Sequence, residues 1–410
     1  MTELFVQLSG EPIGRLIGDR RNFDFVVEPA ALERHGLGSP VLSVAVPLEA
    51  VAARGGKARR QNYFQELLPE GRMRERLAQE AGVPAFDSIG LLRTHGRDVA
   101  GALQIWDPED PGEPREPRLE ALDDRGVADM LQRVQEQPLG NRGAEGKTSL
   151  AGVQDKIVLA QTAGGWSRVL DGAPSTHILK PASATSATII YDEAYGQAVM
   201  RRIGLSSFTT EIAEFAGVPA LVIARYDRST TQPDGRIHQE DGNQALGAGG
   251  NEKYQRYGGR VSLQRLAEAL RQHADADSLR RLAAMAVAAT AVGNLDMHAK
   301  NVSLLHQPDG SISLAPAYDF VPLAHQPNDG ELALSVAGAY RHAAITADHL
   351  VAEMASWGLR NPTQIVEDTL SAIEAASREL EPDSRAHPGL VDDITRFTTN
   401  LLERRPAGAD

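Results

Sequence analysis

The apolar positions change period along the chain. Near the N-terminus they alternate: "LFVQLSG" and "PIGRLIG" predict two strands turning at Gly10 and Glu11, and "VLSVAVPL" is a third candidate strand. "NYFQELLPEGRMRERLAQEAGV" switches to a helical period, with Pro69 breaking or restarting the helix because its ring removes a backbone donor. "DRGVADMLQRVQ" predicts a further helix, "SLAGVQDKIVLAQ" a small-residue turn running into a strand, and "STHILKPA" a second short strand. A helix over 192–203 ends at Gly204, and "TEIAEFAGVPALVIARYDR" predicts two strands joined at Gly217-Val218-Pro219. From Val261 onward the period is mostly helical, over 263–273, 277–292, 347–357, 362–380 and 390–402. One hairpin, "VSLLHQPDGSISLAP", interrupts it and turns on Pro308-Asp309-Gly310.

A mixed first half followed by a helical second half predicts the α+β class. Between them "DPEDPGEPREPR" carries Pro108, Pro111, Pro114 and Pro117 at every third position, which predicts an extended, solvated connector. The chain accordingly divides into an α/β region over 1–106, a proline-rich linker or loop over 107–123, a second α/β region over 124–226 and a helical lobe over 227–410.

Composition narrows the function classes. The 410 residues contain no cysteine, which excludes disulfides and cysteine-ligated zinc. With 42 basic and 55 acidic residues the formal charge is −13, and no Lys/Arg run overrides it, so binding of this chain alone to DNA is not expected. "MTELFVQLSG" lacks the basic and apolar segments of a signal peptide. The most apolar run, "LAAMAVAATAV", is too short to cross a bilayer. A cytoplasmic protein without a membrane partner is expected.

"GNLDMHAKNVSLLH" concentrates the candidate chemistry. Asp296 and Asn301 stand five positions apart, the offset of Asp and Asn in the kinase catalytic loop H-R-D-x-x-x-x-N. In that chemistry the Asp accepts or orients the proton of the attacking hydroxyl, the Asn oxygen binds magnesium, and a second acid from the following strands completes the metal site. Asp319 in "APAYDF" fits that second position, and Lys300 is a cation placed to offset phosphate charge near Asp296. Upstream, Lys180 in "THILKP" fits a strand lysine that holds the α- and β-phosphates of ATP, and Glu193 is a possible partner for it. "TSLAGVQDK" offers backbone donors around Ala151, Gly152 and Val153 without matching either G-x-G-x-x-G or a P-loop. Ala224-Arg225-Tyr226, closing the last strand, occupies the place of an adenine-binding hinge.

Taken together and in order, "NYFQELLPEG", "GRDVAGAL", "SLAGVQDKIVL", "THILKP", "ARYDR", "HQEDGNQALG", "GNLDMHAKN" and "LAPAYDF" resemble the HipA-type serine/threonine kinases, the toxin halves of bacterial type II toxin–antitoxin pairs. The resemblance covers about residues 4 to 320 and implies a kinase-like, two-lobed fold that uses ATP and Mg2+. It gives Asp296 the catalytic role and makes Asn301 and Asp319 the magnesium ligands. It places Lys180 and the segment Ala151, Gly152, Val153, Gln154, Asp155 and Lys156 on the nucleotide phosphates, with His298 and Lys300 beside them. Ala224, Arg225 and Tyr226 become the hinge, although the family commonly carries Glu where this chain has Ala224. Ser149 falls where the family has an autophosphorylated serine, and the run His238 to Asp241 matches a motif that braces the catalytic loop. The implied partners are a protein substrate, an aminoacyl-tRNA synthetase by family analogy, and a HipB-like dimeric antitoxin through which alone the chain reaches operator DNA. Two other readings compete: a kinase-like module that holds nucleotide and docks an antitoxin with little phosphotransfer, and a metal-dependent phosphohydrolase using Asp296 and Asp319. The second lacks the further His or Asp ligands of a two-metal site.

Overall fold

The computed structural model describes residues 2–409 except 142, 184 and 185. Its N-terminal unit is an antiparallel sheet of β1 (Thr2–Leu8), β2 (Glu11–Gly18), β3 (Phe23–Val27) and β4 (Leu103–Trp106), in the order β3-β2-β1-β4. Helices α1 (Pro29–His35), α2 (Lys57–Gln65), α3 (Gly71–Ala81) and α4 (Ser88–His95) accompany it. The break between α2 and α3 spans Pro69, as the proline requires.

A six-stranded antiparallel sheet follows, from β5 (Arg118–Leu122), β6 (Ile157–Thr162), β7 (Gly165–Leu170), β8 (His177–Pro181), β9 (Thr210–Phe215) and β10 (Val218–Ala224), ordered β5-β7-β6-β8-β10-β9. Helices α5 (Asp124–Gln132) and α6 (Ile189–Arg202) pack on it. The C-terminal lobe contains α7 (Gly242–Leu246), α8 (Leu263–His273), α9 (Ser278–Val292), α10 (Ala347–Ser356), α11 (Pro362–Glu379) and α12 (Leu390–Leu402). A three-stranded sheet of β11 (His238–Asp241), β12 (Ser303–His306) and β13 (Ile312–Leu314) and a hairpin of β14 (Glu331–Val336) and β15 (Ala339–Arg341) complete it.

α9 is the apolar centre of this lobe. Its alanines are buried around most of its circumference, and α8, α10, α11 and α12 pack against it. It ends at Gly293, whose φ of 71° is the left-handed cap that caps α9 and sends the chain into the polar loop. A side chain there would also meet Ala324 at 2.8 Å, so both conformation and space call for glycine.

Two expectations are corrected. The stretch 41–48 forms no strand: Pro40 and Pro47 remove ladder donors, and the chain folds back on itself through Leu48 N–H to Ser39 O. Its alternation is real but serves as a plug, with Leu42, Val46 and Leu48 buried, while Glu240 accepts from the Ser43 hydroxyl at 2.5 Å and the Val44 N–H at 2.9 Å. The proline segment is likewise not a free connector. Its Glu113 is buried between Arg97 at 3.3 Å and Lys147 at 2.8 Å, and residues 118–122 form the edge strand β5. Sequence composition reported the solvated prolines and missed the carboxylate that anchors them. The core of the N-terminal unit in fact continues into β6 and β7 through Val158, Ala160 and Val169.

Candidate functional site

A cavity of about 510 Å³ opens between the six-stranded sheet, α6, the loop after α9 and the break between α2 and α3. Lys180, near the end of β8, reaches across it. Its Nζ lies 2.7 Å from Glu193 Oε1 on α6 and 2.7 Å from Asp319 Oδ1. Burial opposes the lysine charge, but Asp319 and Glu193 outweigh it and raise the Lys180 pKa. Burial likewise pushes the Asp319 carboxyl up, and Lys180, with Lys156 and His298 behind it, holds it down to about 2. Asp319 has φ 56°, a left-handed conformation that Asp tolerates better than most residues.

The close approach of α6 to the Asp319 segment depends on Gly196. A Cβ there would stand 2.2 Å from the Phe320 carbonyl oxygen, so the helix carrying Glu193 can lie against the chain carrying Asp319 only at a glycine.

The loop after α9 folds around its own polar groups. Asp296 accepts the His298 N–H on its carbonyl at 2.8 Å, and the Asn301 side-chain amide donates to the same carbonyl at 2.9 Å. Asn301 is thereby oriented by its nitrogen, which leaves its oxygen for another ligand. The Asp296 carboxyl is lifted to about 6, by burial first and the Asp319 charge second, with Lys253 and the Tyr254 phenol partly offsetting the rise. His298 packs edge-on against Tyr254 at 5.4 Å; burial and then Lys253 lower its pKa to about 4, and its Nδ1 is buried without a hydrogen-bond partner.

Lys300 does not face the cavity as a free cation. Its Nζ is 2.6 Å from Glu66 and 3.2 Å from Glu70, and Lys253 is 2.9 Å from Glu70. Both glutamates come from the α2–α3 break, so the N-terminal unit neutralises Lys300 of the loop after α9 and Lys253 from the segment before α8. Among the described lysines lining the cavity, Lys156 is the one with no carboxylate partner. It donates to Ala151 O at 2.8 Å, and burial followed by Lys180 lowers its pKa to about 8. A buried, unpaired ammonium beside an open cavity is a ready phosphate ligand.

The remaining candidates divide. Ala151, Gly152, Val153 and Gln154 line the cavity, as do Ala224, Tyr226 and His298. Asp155 is turned away, held by Arg72 at 2.9 Å and Gln135 at 3.2 Å. Arg225 contributes only its backbone: its guanidinium is buried on Asp227 at 2.7 Å, Ser175 at 2.8 Å and Val99 O at 3.0 Å. Together with Arg228 on Asp98 at 2.8 Å and the Gly101 N–H on Asp227 at 2.7 Å, it fastens "ARYDR" to "GRDVAG". Ser149 is fully buried, its hydroxyl donating to Leu67 O at 3.0 Å. The His238–Asp241 strand pairs with β12, and Asp241 caps α7 through the Gln244 N–H at 2.9 Å, which packs that helix under the loop.

Sequence reasoning missed Glu66, Glu70, Lys253 and Tyr254 at the site. The only signal for the glutamates was their place in "NYFQELLPEG", flanking Pro69. Lys253 and Tyr254 fall in a polar stretch with no period to mark them.

A strand lysine ion-paired to a helix glutamate, with Asp, Asn and a second Asp across one cavity, is the arrangement of residue types found in protein kinases. The HipA N-terminal domain family matches residues 4–106 and the HipA-like C-terminal domain family matches 148–377, more than half of the sequence. The chain belongs to the HipA family of kinase toxins. Among its relatives is Y4mE of Sinorhizobium fredii, whose name carries a provisional kinase assignment. It is 35% identical over 340 residues, 78% of this chain and 79% of that one. The serine/threonine-protein kinase toxin HipA of Shewanella oneidensis is 25% identical over 387 residues, 88% of this chain and 86% of that one. A chain in the solved complex of Shewanella oneidensis HipA, HipB and operator DNA superimposes with a TM-score of 0.79 at 23% identity, covering 98% of this chain and 96% of that one. That likeness bears out the kinase-like α+β fold.

Proposed function

We propose that this chain is an ATP-dependent serine/threonine protein kinase that acts as the growth-inhibiting toxin of a toxin–antitoxin pair. The observation that carries the reading is the convergence of Lys180, Glu193, Asp319, Asn301 and Asp296 on one cavity. Asp296 orients the substrate hydroxyl and takes its proton; a carboxyl lifted to about 6 is still ionised at neutral pH yet basic enough for that task. Lys180 and Lys156, with the Ala151–Gln154 backbone, hold the triphosphate, while the Ala224 and Tyr226 edge receives the base. Arg225 stabilises that edge through its backbone and its buried ion pairs.

The donor set fits magnesium. Asp319 offers a carboxylate and Asn301 an amide oxygen, both hard ligands, which with phosphate oxygens and water suit a small octahedral ion. When bound, Mg2+ supplies charge neutralisation on the β- and γ-phosphates. Calorimetry with ATP and Mg2+ tests the assignment: Asp319→Ala and Asn301→Ala are each expected to weaken Mg2+-dependent nucleotide binding, and unchanged affinity in both contradicts it.

The substrate is proposed to be a component of translation such as an aminoacyl-tRNA synthetase, on family analogy. A HipB-like antitoxin is the proposed partner, supported by the HipB in the Shewanella complex, and the −13 charge argues that operator DNA is reached only through it. Tight operator binding by the purified chain alone at physiological salt would refute that route. Among the described residues no helix is long and apolar enough to cross a membrane, and a cytoplasmic setting remains part of the proposal.

A further inference from the structure

Outside the cavity lining, beside Asp192 in the first turn of α6, two histidines from distant parts of the chain stack face to face. The rings of His325 and His387 lie 4.0 Å apart with an 8° interplanar angle. Asp393, in the first turn of α12, joins them, and one donor atom from each of the three lies within 4.8 Å of the others. No role in binding ATP or in phosphotransfer uses any of these groups.

We infer that His325, His387 and Asp393 form a binding site for zinc or a like divalent transition metal. Two imidazoles and one carboxylate are a borderline nitrogen–oxygen set, preferred by such ions over magnesium or calcium. Ligands around tetrahedral zinc, at about 2.0–2.2 Å from the ion, stand roughly 3.4 Å from one another. Because the stacked planes are nearly parallel, one imidazole must turn out of the stack before both nitrogen lone pairs meet at one ion, and a water then completes the fourth position.

A second observation supports the inference. Asp192, fully buried, stands behind the His325 ring and against the His387 main chain. Its Oδ2 is 3.2 Å from His325 Nε2, and its Oδ1 accepts the His387 main-chain N–H at 2.8 Å. A carboxylate behind a ligating imidazole fixes the ring and strengthens it as a donor, the outer-shell pattern of protein zinc sites. Two existing contacts compete with an ion: Asp393 pairs with Arg396 at 2.8 Å, an exposed i,i+3 pair, and the Gln326 amide lies 2.9 Å from His325 Nε2. Asp192 also neighbours Glu193 in sequence, so a bound ion would join the 319–326 segment, the start of α12 and the turn of α6 that carries the Lys180 partner.

The test uses the full chain, free of any affinity tag, titrated with zinc chloride in the presence of excess Mg2+ so that the oxygen donors of the nucleotide cavity are occupied. One equivalent is expected to bind and raise the melting temperature. His387→Asn and Asp393→Asn, both at partly exposed positions, are each expected to weaken that binding by about tenfold or more. Absence of binding by the wild-type chain, or binding by both variants as tight as wild type, overturns the proposal. Because the readout is metal binding rather than phosphotransfer, the result stands whether or not the kinase reading does.

Discussion

Replacing Asp296 with asparagine should make the protein inactive and more stable at the same time. The carboxyl has been moved from 3.8 to about 6 by burial and by the Asp319 charge, so the ionised form is disfavoured in the folded chain. A shift of about two units corresponds to roughly 3 kcal/mol between protonation states at about 1.4 kcal/mol per unit, an upper bound because bound Mg2+ and local relaxation reduce it. The sign follows from proton linkage. A raised folded pKa means the folded state binds more protons between pH 3.8 and 6, so this group's contribution is best below 3.8 and is lost as pH rises through 6. Asparagine, neutral and nearly the same size, keeps the low-pH contribution at every pH. The variant should therefore be about 1–3 kcal/mol more stable than wild type at pH 7, with the advantage shrinking as pH falls towards 4. Phosphotransfer should drop by about two to four decades. Denaturant unfolding at a series of pH values, without nucleotide or Mg2+, measures the first effect, and a radiolabel transfer assay the second. A variant less stable than wild type at pH 7, or a stability difference independent of pH, refutes the account of Asp296; wild-type turnover refutes its role.

Other perturbations test the supports around it. Lys180→Met leaves Glu193 and Asp319 facing each other without their cation, and should cost about 3–5 kcal/mol in unfolding free energy as well as nucleotide binding; a change below about 1 kcal/mol would show that the pair is incidental. Gly196→Ala gains up to about 1 kcal/mol of helix propensity, but its methyl meets the Phe320 carbonyl at 2.2 Å, so a net loss of about 1–3 kcal/mol and weaker ATP binding are expected. A melting temperature equal to or above wild type would contradict that packing. Ser149 should carry phosphate after wild-type enzyme is incubated with ATP and none in Asp296→Asn, and because the hydroxyl is buried against Leu67 O, the modified loop must leave its present place. Intact-mass analysis reads the phosphate, and an unmodified Ser149 in active enzyme refutes autophosphorylation at this position.

The sequence disclosed the parts of the site whose chemistry is local. Asp296 and Asn301 share one loop, and the loop's position between an apolar helix and a hairpin follows from periodicity and the turn residues. The pairing of Lys180 with Glu193 was legible as a possibility, since strand and helix are adjacent in the chain. What stayed hidden depends on contacts between distant segments. Lys300 reads as a free cation until Glu66, 234 positions away, is seen to neutralise it. Arg225 reads as a hinge residue until Asp227 and Val99 draw its side chain away from the cavity. The alternation over 41–48 is a correct record of which side chains are buried, but alternation does not reveal whether a neighbouring strand exists to pair with. Charge pairing and strand pairing are both properties of the partner, and the partner is not written beside the residue.

The central claim is that this cavity transfers phosphate from ATP to protein hydroxyls. Quantitative phosphoproteomics after brief controlled expression of the wild-type chain, against Asp296→Asn at matched abundance, tests it most directly. The account expects serine or threonine phosphorylation to appear on a few proteins, including a translation component, in the wild-type sample alone. Phosphorylation indistinguishable between the two samples, in cells whose growth the wild-type chain arrests, would contradict it.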